Sequence, residues 1–166
     1  MVGKKKLFLL LLAGGALYMI TRKTWALPEN AKPYEAFFNQ ATETYGLPQN
    51  LLARVAYQES RFRDDIISGA TTSSAGAVGI MQIVPKWHPG VDPTDPEQAI
   101  DYAARYLTQL HKTFGTWEKA LAAYNWGPAN VTKTLAKVEP PFDWRNYLPK
   151  ETQNYINQIT TDLRLA

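Results

Sequence analysis

The chain has 166 residues, 45% of them apolar and 12% aromatic, and no cysteine. That is enough for one domain with its own core, and it excludes a disordered chain, a disulfide framework, thiolate metal sites, a cysteine nucleophile and lipid attachment at cysteine. The net charge of +3 is local: Lys4, Lys5, Lys6, Arg22 and Lys23 fall in the first 25 residues, where there is no acid, leaving 13 basic against 15 acidic residues beyond. A balanced domain gives no electrostatic case for nucleic acid.

Residues 7–20 are fourteen uncharged, mostly apolar residues flanked by cations. As a helix they span about 21 Å, short of the ~30 Å hydrocarbon core of a bilayer. Residues 1–25 are therefore expected to be a membrane anchor helped by snorkelling lysines, or a cleaved signal segment. Either exports the rest of the chain. A mature terminus near Leu27 would mark the cleaved form. Residues 26–33 hold Pro28 and Pro33 without periodicity, and are expected to be a linker.

A helix over 33–45 is expected to end at Gly46. Pro48 suits the first turn of the next helix, over 48–61. On that helix Leu51, Leu52, Val55 and Ala56 form the stripe of a face turned to a core. One turn further the stripe arrives at Glu59. A carboxyl held against apolar walls resists ionisation, so its pKa rises. Still protonated near neutral pH, it can donate to a leaving oxygen as a general acid. The bland alternative is a surface glutamate paired with Arg63.

Residues 63–76 are rich in Ser, Thr, Gly and Asp and are expected to be a loop. Residues 78–85 are expected to be a short helix ended near Pro85, although a strand of that length reads the same way. Gly76 and Gly79, with Ala75 and Ala77, make a small-residue wall that a ligand or another backbone can approach. Gln82 offers an amide beside it. Ordinary turn chemistry and a surface amide are the alternative.

Asp95-Pro96 starts the next helix, cap then proline. Its stripe is Ile100, Ala103, Ala104, Leu107, Leu110 and Phe114, and Gly115 ends it. Thr116 caps a helix closed by Gly127-Pro128, another covers 129–137, and Pro149 opens the last, with Tyr155, Ile156, Ile159 and Leu163 on one side. Strand signals are weak, so the fold class is mostly α. Tyr124 and Asn125 stand at a helix end, where a tyrosine hydroxyl can reach a buried carboxyl. His88 and His111 lack acidic neighbours at ligand spacing, so no metal site is expected. Ser60 and Ser73 lack a histidine partner for a triad. There is no glycine-rich phosphate loop with a lysine, and no cofactor is expected.

Four motifs in order carry more weight than any alone: "QESRF" at 58–62, "SSAGAVGIMQIVP" at 73–85, "ALAAYNWGP" at 120–128 and "LPKETQNYI" at 148–156. This series resembles the lytic transglycosylase domain of the goose-type lysozyme-like family, over roughly residues 34–160. The resemblance implies a lysozyme-like multi-helix domain over 34–166. It implies Glu59 as the catalytic acid, with Ser60 completing its Glu-Ser motif, and Ser73 as a glycan contact. Met81 and Gln82 would line the cleft beside Gly76 and Gly79. Tyr124 would steady the acid, with Asn125 beside it, and Glu151 and Tyr155 would support the cleft. The chain departs from the family pattern in its long loop between Glu59 and Ser73, which contains Asp64 and Asp65, in Ile80 for Leu, in Trp126 where Ala is frequent, and in Ala129 where Gly is common.

The implied substrate is peptidoglycan, cut between N-acetylmuramic acid and N-acetylglucosamine with formation of a 1,6-anhydromuramyl end. Ordinary glycosidases use two carboxyls, and no second acid is expected to act from the other cleft motifs. The alternatives are a hydrolase of the same fold with Asp64 or Asp65 placing a water, an inactive wall-binding module, or a part of an envelope or virion machine. The expected location is the periplasm, with the N-terminal segment held in the inner membrane.

Overall fold

The computed structural model describes residues 25–139, 141–163 and 165. The expected anchor or signal segment lies outside them except for Trp25. Among the described residues no helix is long and apolar enough to cross a membrane.

Among the described residues seven α-helices carry the fold: α1 (Glu35–Tyr45), α2 (Leu51–Ser60), α3 (Asp64–Ile67), α4 (Pro96–Phe114), α5 (Trp117–Trp126), α6 (Pro128–Leu135) and α7 (Lys150–Leu163). Two 3-10 helices, Glu29–Tyr34 and Trp144–Tyr147, complete the regular structure of the described residues. Long α4 packs against α1 and α5, α5 packs against α6 and α7, and α2 touches α1, α4 and α7.

The boundaries of α4 follow from local chemistry. Asp95 accepts from the backbone N–H groups of Glu97 and Gln98 at 3.0 and 3.2 Å, and Pro96 follows at the first position. Ile100, Ala103, Ala104 and Leu107 are fully buried, as the stripe requires. Thr116 caps α5 through the Lys119 N–H.

Helix α2 departs from expectation. It begins at Leu51, not at Pro48, whose carbonyl instead accepts from the Leu51 N–H in a preceding turn. More than its apolar stripe is covered: every residue from Leu51 to Ala56 is buried, Arg54 included. Arg54 is tolerated there because its Nε donates to Asp162 Oδ2 at 2.7 Å and its Nη2 to the Gln158 carbonyl at 3.2 Å, both on α7.

Two further segments differ from the sequence reading. Residues 26–33 are not a loose linker, since Ala31 is fully buried and Asn30 Nδ2 donates to the Phe62 carbonyl at 3.1 Å. Residues 78–85 form no helix. Val78 and Ile83 pair antiparallel through two 3.0 Å backbone hydrogen bonds, closing a tight loop. Gly79 (φ +80°) and Gln82 (φ +48°) turn the chain there with left-handed backbone that a right-handed helix cannot contain. Gly79 also has no room for a side chain, because a Cβ would lie 1.7 Å from the Pro93 carbonyl oxygen.

Candidate active site

Helix α2 ends where its buried stripe meets a groove. Ser60, fully buried, donates from Oγ to the Ala56 carbonyl at 3.0 Å and accepts the Phe62 N–H at 3.2 Å. It thereby serves the helix end, not a ligand. Arg61 and Phe62 are consecutive left-handed residues, at φ +53° and +54°. Such backbone is costly without glycine. Phe62 offsets part of that cost by burial against the rings of Phe38 and Tyr57. The sharp stop leaves Glu59 on the last turn, half-buried, at a groove of about 1200 Å³.

Tyr155 of α7 donates its hydroxyl to Glu59 Oε1 at 2.7 Å. Burial raises the Glu59 pKa to about 7; the Tyr155 hydrogen bond pulls the other way and the nearby Glu151 carboxylate adds to the rise. The hydroxyls of Tyr124 and Tyr155 are held well above their ordinary pKa, chiefly by burial and then by Glu59, so both are donors at neutral pH. The arrangement keeps a large share of a shielded carboxyl protonated near neutral pH and fixes that carboxyl from one side, which is what a general acid needs.

The tyrosine assignment is thereby corrected. Tyr124 does not hydrogen-bond the acid; its hydroxyl donates to the Met81 carbonyl at 3.0 Å, tying α5 to the 78–83 loop. Tyr155 holds the acid in its place. Met81 is corrected too: its side chain is fully buried in the core, and only its carbonyl serves the site, through Tyr124. Asn125 lines the groove, with its Oδ1 accepting from Thr152 Oγ1 at 2.8 Å.

Gln82 also lines the groove, its Nε2 donating to the Gly79 carbonyl at 3.1 Å. Ser73 lines it from a turn in which its Oγ accepts the Ala77 N–H at 3.0 Å. Ala75 and Ala77 reach the groove as part of the small-residue wall. The close approach at Gly79, however, is to the Pro93 backbone, and Gly76 (φ +78°) is exposed with open space around it. Glu151 lines the groove as a second carboxylate, which the motif reading left without a role in the reaction. Asp64 and Asp65 do not line it, and Asp65 is instead paired with Arg63 at 2.7 Å. Arg63 is thus not the partner of Glu59.

Several groove residues were missed. Trp87 lines it with 69% of its surface exposed and Lys86 Nζ 4.9 Å from its ring centre. His88 reaches α4: its Nδ1 lies 2.6 Å from the Tyr102 hydroxyl, and its ring meets Tyr102 and Tyr106 edge-on. Burial lowers its pKa, which favours a neutral imidazole. Tyr102 and Tyr106 stand four apart beside the buried stripe of α4, a spacing that would have marked an aromatic face. His111 stacks on Trp117, with ring centres 4.0 Å apart. Among the described residues no group of three His, Cys, Asp or Glu stands together as a metal would need.

Comparison with known proteins agrees with this geometry. The family described as transglycosylase SLT domain matches residues 36–144. Membrane-bound lytic murein transglycosylase F of Stutzerimonas stutzeri is 30% identical over 145 residues, covering 76% of this chain and 29% of that protein. Peptidoglycan transglycosylase gp16 of Escherichia phage T7 is 28% identical over 137 residues, covering 76% of this chain and 10% of that protein. A solved structure of an inactive mutant of lytic transglycosylase Slt from Pseudomonas aeruginosa superposes with a TM-score of 0.64 at 26% identity, covering 79% of this chain and 24% of that one. The chain thus matches less than a third of the length of these relatives, over the segment that holds Glu59, the 78–83 loop and α5. It belongs to the transglycosylase SLT domain family.

Proposed function

We propose that this chain is a peptidoglycan lytic transglycosylase that cuts the β-1,4 bond between N-acetylmuramic acid and N-acetylglucosamine. The observation that carries the reading is Glu59: a half-buried carboxyl with a pKa near 7, held by Tyr155 at 2.7 Å, in a groove large enough for a glycan strand. Protonated Glu59 gives its proton to the glycosidic oxygen as that bond breaks and an oxocarbenium-like sugar forms. The C6 hydroxyl of the same muramic sugar then bonds to C1, and ionised Glu59 takes the hydroxyl proton. The acid is restored, no water is consumed, and the product ends in 1,6-anhydromuramic acid. Ser73, Gln82, Asn125 and the aromatic side chains of the groove are assigned to the glycan.

A hydrolytic variant is favoured by one observation, the presence of Glu151 as a second groove carboxylate. The test for both is digestion of purified peptidoglycan by the full chain, with mass spectrometry of the released ends. Anhydromuramyl ends, lighter by one water than reducing ends, support the transglycosylase. Reducing ends overturn it in favour of hydrolysis. Absence of cleavage favours an inactive wall-binding module.

The domain assignment extends this reading. Residues 34–166 are assigned as the lysozyme-like unit, and residues 1–25 as a membrane anchor or signal segment that delivers it to the periplasm. The lysines at 4–6 support a cytoplasmic amino terminus, and the name of the Stutzerimonas relative supports a membrane location. Carbonate washing of membranes from cells making a C-terminally tagged chain separates the two forms. An anchored chain stays with the membrane, and a cleaved one is released beginning near Leu27.

A further inference from the structure

The groove contains one lysine or arginine side chain among its lining residues, Arg61, along with the carboxylates of Glu59 and Glu151. The ion pairs of the described residues are Arg54–Asp162, Arg63–Asp65, Arg145–Glu118, Arg145–Asp143 and Lys32–Glu29. Arg61 is in none of them: no carboxylate among the described residues lies within 4 Å of its guanidinium. It is nevertheless held in place. Its Cζ stacks 4.4 Å from the Tyr57 ring centre, and its Nη2 donates to Gln58 Oε1 at 3.0 Å. Its backbone is fixed in the left-handed region and its carbonyl accepts from Asn30.

An ordered guanidinium with neutral partners keeps most of its five donors free. Its planar fork matches a carboxylate better than any neutral group. Two residues from Glu59, it stands close to where the sugar cut by that acid must lie. Under the transglycosylase reading, on which this inference rests, that sugar is muramic acid, and it carries a peptide whose side chains and terminus bear carboxylates. We propose that Arg61 binds a carboxylate of that peptide stem, so that the chain selects glycan that still bears peptides. Arg61 is then a positioning residue, and its effect falls on KM more than on kcat.

The test compares the full chain with Arg61→Asn, which keeps a residue tolerant of left-handed backbone, and with Arg61→Lys, which keeps the charge but not the fork. Each is assayed on soluble peptide-bearing glycan, on the same material with its carboxylates converted to amides by carbodiimide and ammonia, and on glycan freed of peptide by an amidase, which leaves only the lactyl carboxylate. On peptide-bearing glycan Arg61→Asn is expected to raise KM about tenfold more than on amidated glycan, the scale of one charge-assisted contact, with Arg61→Lys between. Equal loss on those two substrates overturns the proposal and leaves Arg61 a structural role. The same tenfold selectivity on peptide-free glycan overturns the peptide stem as the ligand and assigns the lactyl carboxylate. If the parent releases no anhydromuramyl ends from any substrate, the transglycosylase reading falls and this inference with it. If the parent releases them and the variants respond alike to all three, only this inference falls.

Discussion

Glu59, Tyr124 and Tyr155 reach the groove from α2, α5 and α7, while Ser73, Gln82, Trp87 and His88 reach it from residues 68–95, a stretch without a helix. The helical group is half-buried at Glu59 and Tyr124 and buried at Tyr155, and it is fixed by side chains that cross between helices, such as Tyr155 to Glu59 and Thr152 to Asn125. The loop group is held largely by backbone hydrogen bonds, Ser73 with Ala77 and Val78 with Ile83 inside the stretch and Gly79 N–H to the Ile66 carbonyl of α3 at 3.2 Å, with His88 reaching Tyr102 of α4. Exposure follows the same division, from buried Tyr155 to Trp87 at 69%. Helices set the protonation state of one carboxyl, and the loop offers the groove's most exposed surface, which the proposed function gives to the glycan. On that division, changes at Glu59 and its partner Tyr155 alter pH dependence and kcat, and changes in the loop, or in Tyr124 that ties α5 to it, alter stability and KM.

Glu59→Gln is the largest expected effect. Loss of a general acid costs about 10²–10⁴-fold in rate, read as anhydromuramyl ends released per minute at pH 6. In the parent, kcat/KM should fall as pH rises through about 7, where Glu59 loses its proton. Stability gives an independent check with a definite sign. The folded-state pKa of Glu59 is raised from 4.5 to about 7, so above pH 4.5 the folded chain holds a proton that the unfolded chain has released. Stability from this group therefore decreases as pH rises from about 4.5 to 7. Glu59→Gln carries no such penalty, so its Tm should exceed the parent's by about 3 °C or more at pH 8, with the gap closing toward pH 5. A Tm gap independent of pH would show a freely hydrated carboxyl and remove the basis of the comparison.

Gly79→Ala tests the loop group at its tightest point. The new Cβ meets the Pro93 carbonyl oxygen at 1.7 Å in a residue with φ +80°. Overpacking and left-handed strain together cost about 3 kcal/mol, and Tm should fall by about 10 °C. The position of the alkaline limb should not move, because no partner of Glu59 has changed. A shift in that limb would mean that the loop sets the acid after all.

How much of this was legible follows the same division. Helix α4 could be read to the residue because Asp95, Pro96 and Gly115 act on their own neighbours. Glu59 could be read because the stripe and the helix share one period. The choice between Tyr124 and Tyr155 could not: both stand on helices near the acid, and only the packing of α5 and α7 against α2 decides which hydroxyl reaches it. The 78–83 loop was misread because Ile80, Met81 and Ile83 are buried in the core whatever their own conformation. Their apolar run reports burial and carries no period. Trp87 and Arg61 gave no signal because exposed residues follow no pattern set by a core.

Tyr155→Phe and Tyr124→Phe sharpen the helical side. Removing the Tyr155 hydroxyl deletes the one hydrogen bond that lowers the Glu59 pKa. The alkaline limb should therefore move upward, and kcat should fall about tenfold as the carboxyl loses its orientation, the effect of one hydrogen bond to a charged group. Tyr124→Phe should leave the limb where it is, since that hydroxyl bonds the Met81 carbonyl, and should instead lower Tm. Limb shifts of equal size in both variants would return Tyr124 to the role the motif gave it.

Trp87→Ala is the smallest and the most specific. The ring is exposed at the groove, and Lys86 lies over one of its faces. A sugar ring laid on the other face would gain about 0.5–1.5 kcal/mol, the scale of an aromatic contact beyond area burial. That corresponds to a rise in KM of about 2- to 10-fold, with kcat, Tm and the alkaline limb unchanged, because Trp87 packs into no core and touches no partner of Glu59. The contrast with Tyr155→Phe is therefore one of kind: one variant moves kcat and pH dependence, the other moves only KM. The effect should also depend on substrate length, because an exposed platform away from the acid is used only by strands long enough to cover it. Glycan too short to reach Trp87 should be cut by parent and variant at the same rate, whereas a rate loss on the shortest substrates would place Trp87 beside the bond that breaks.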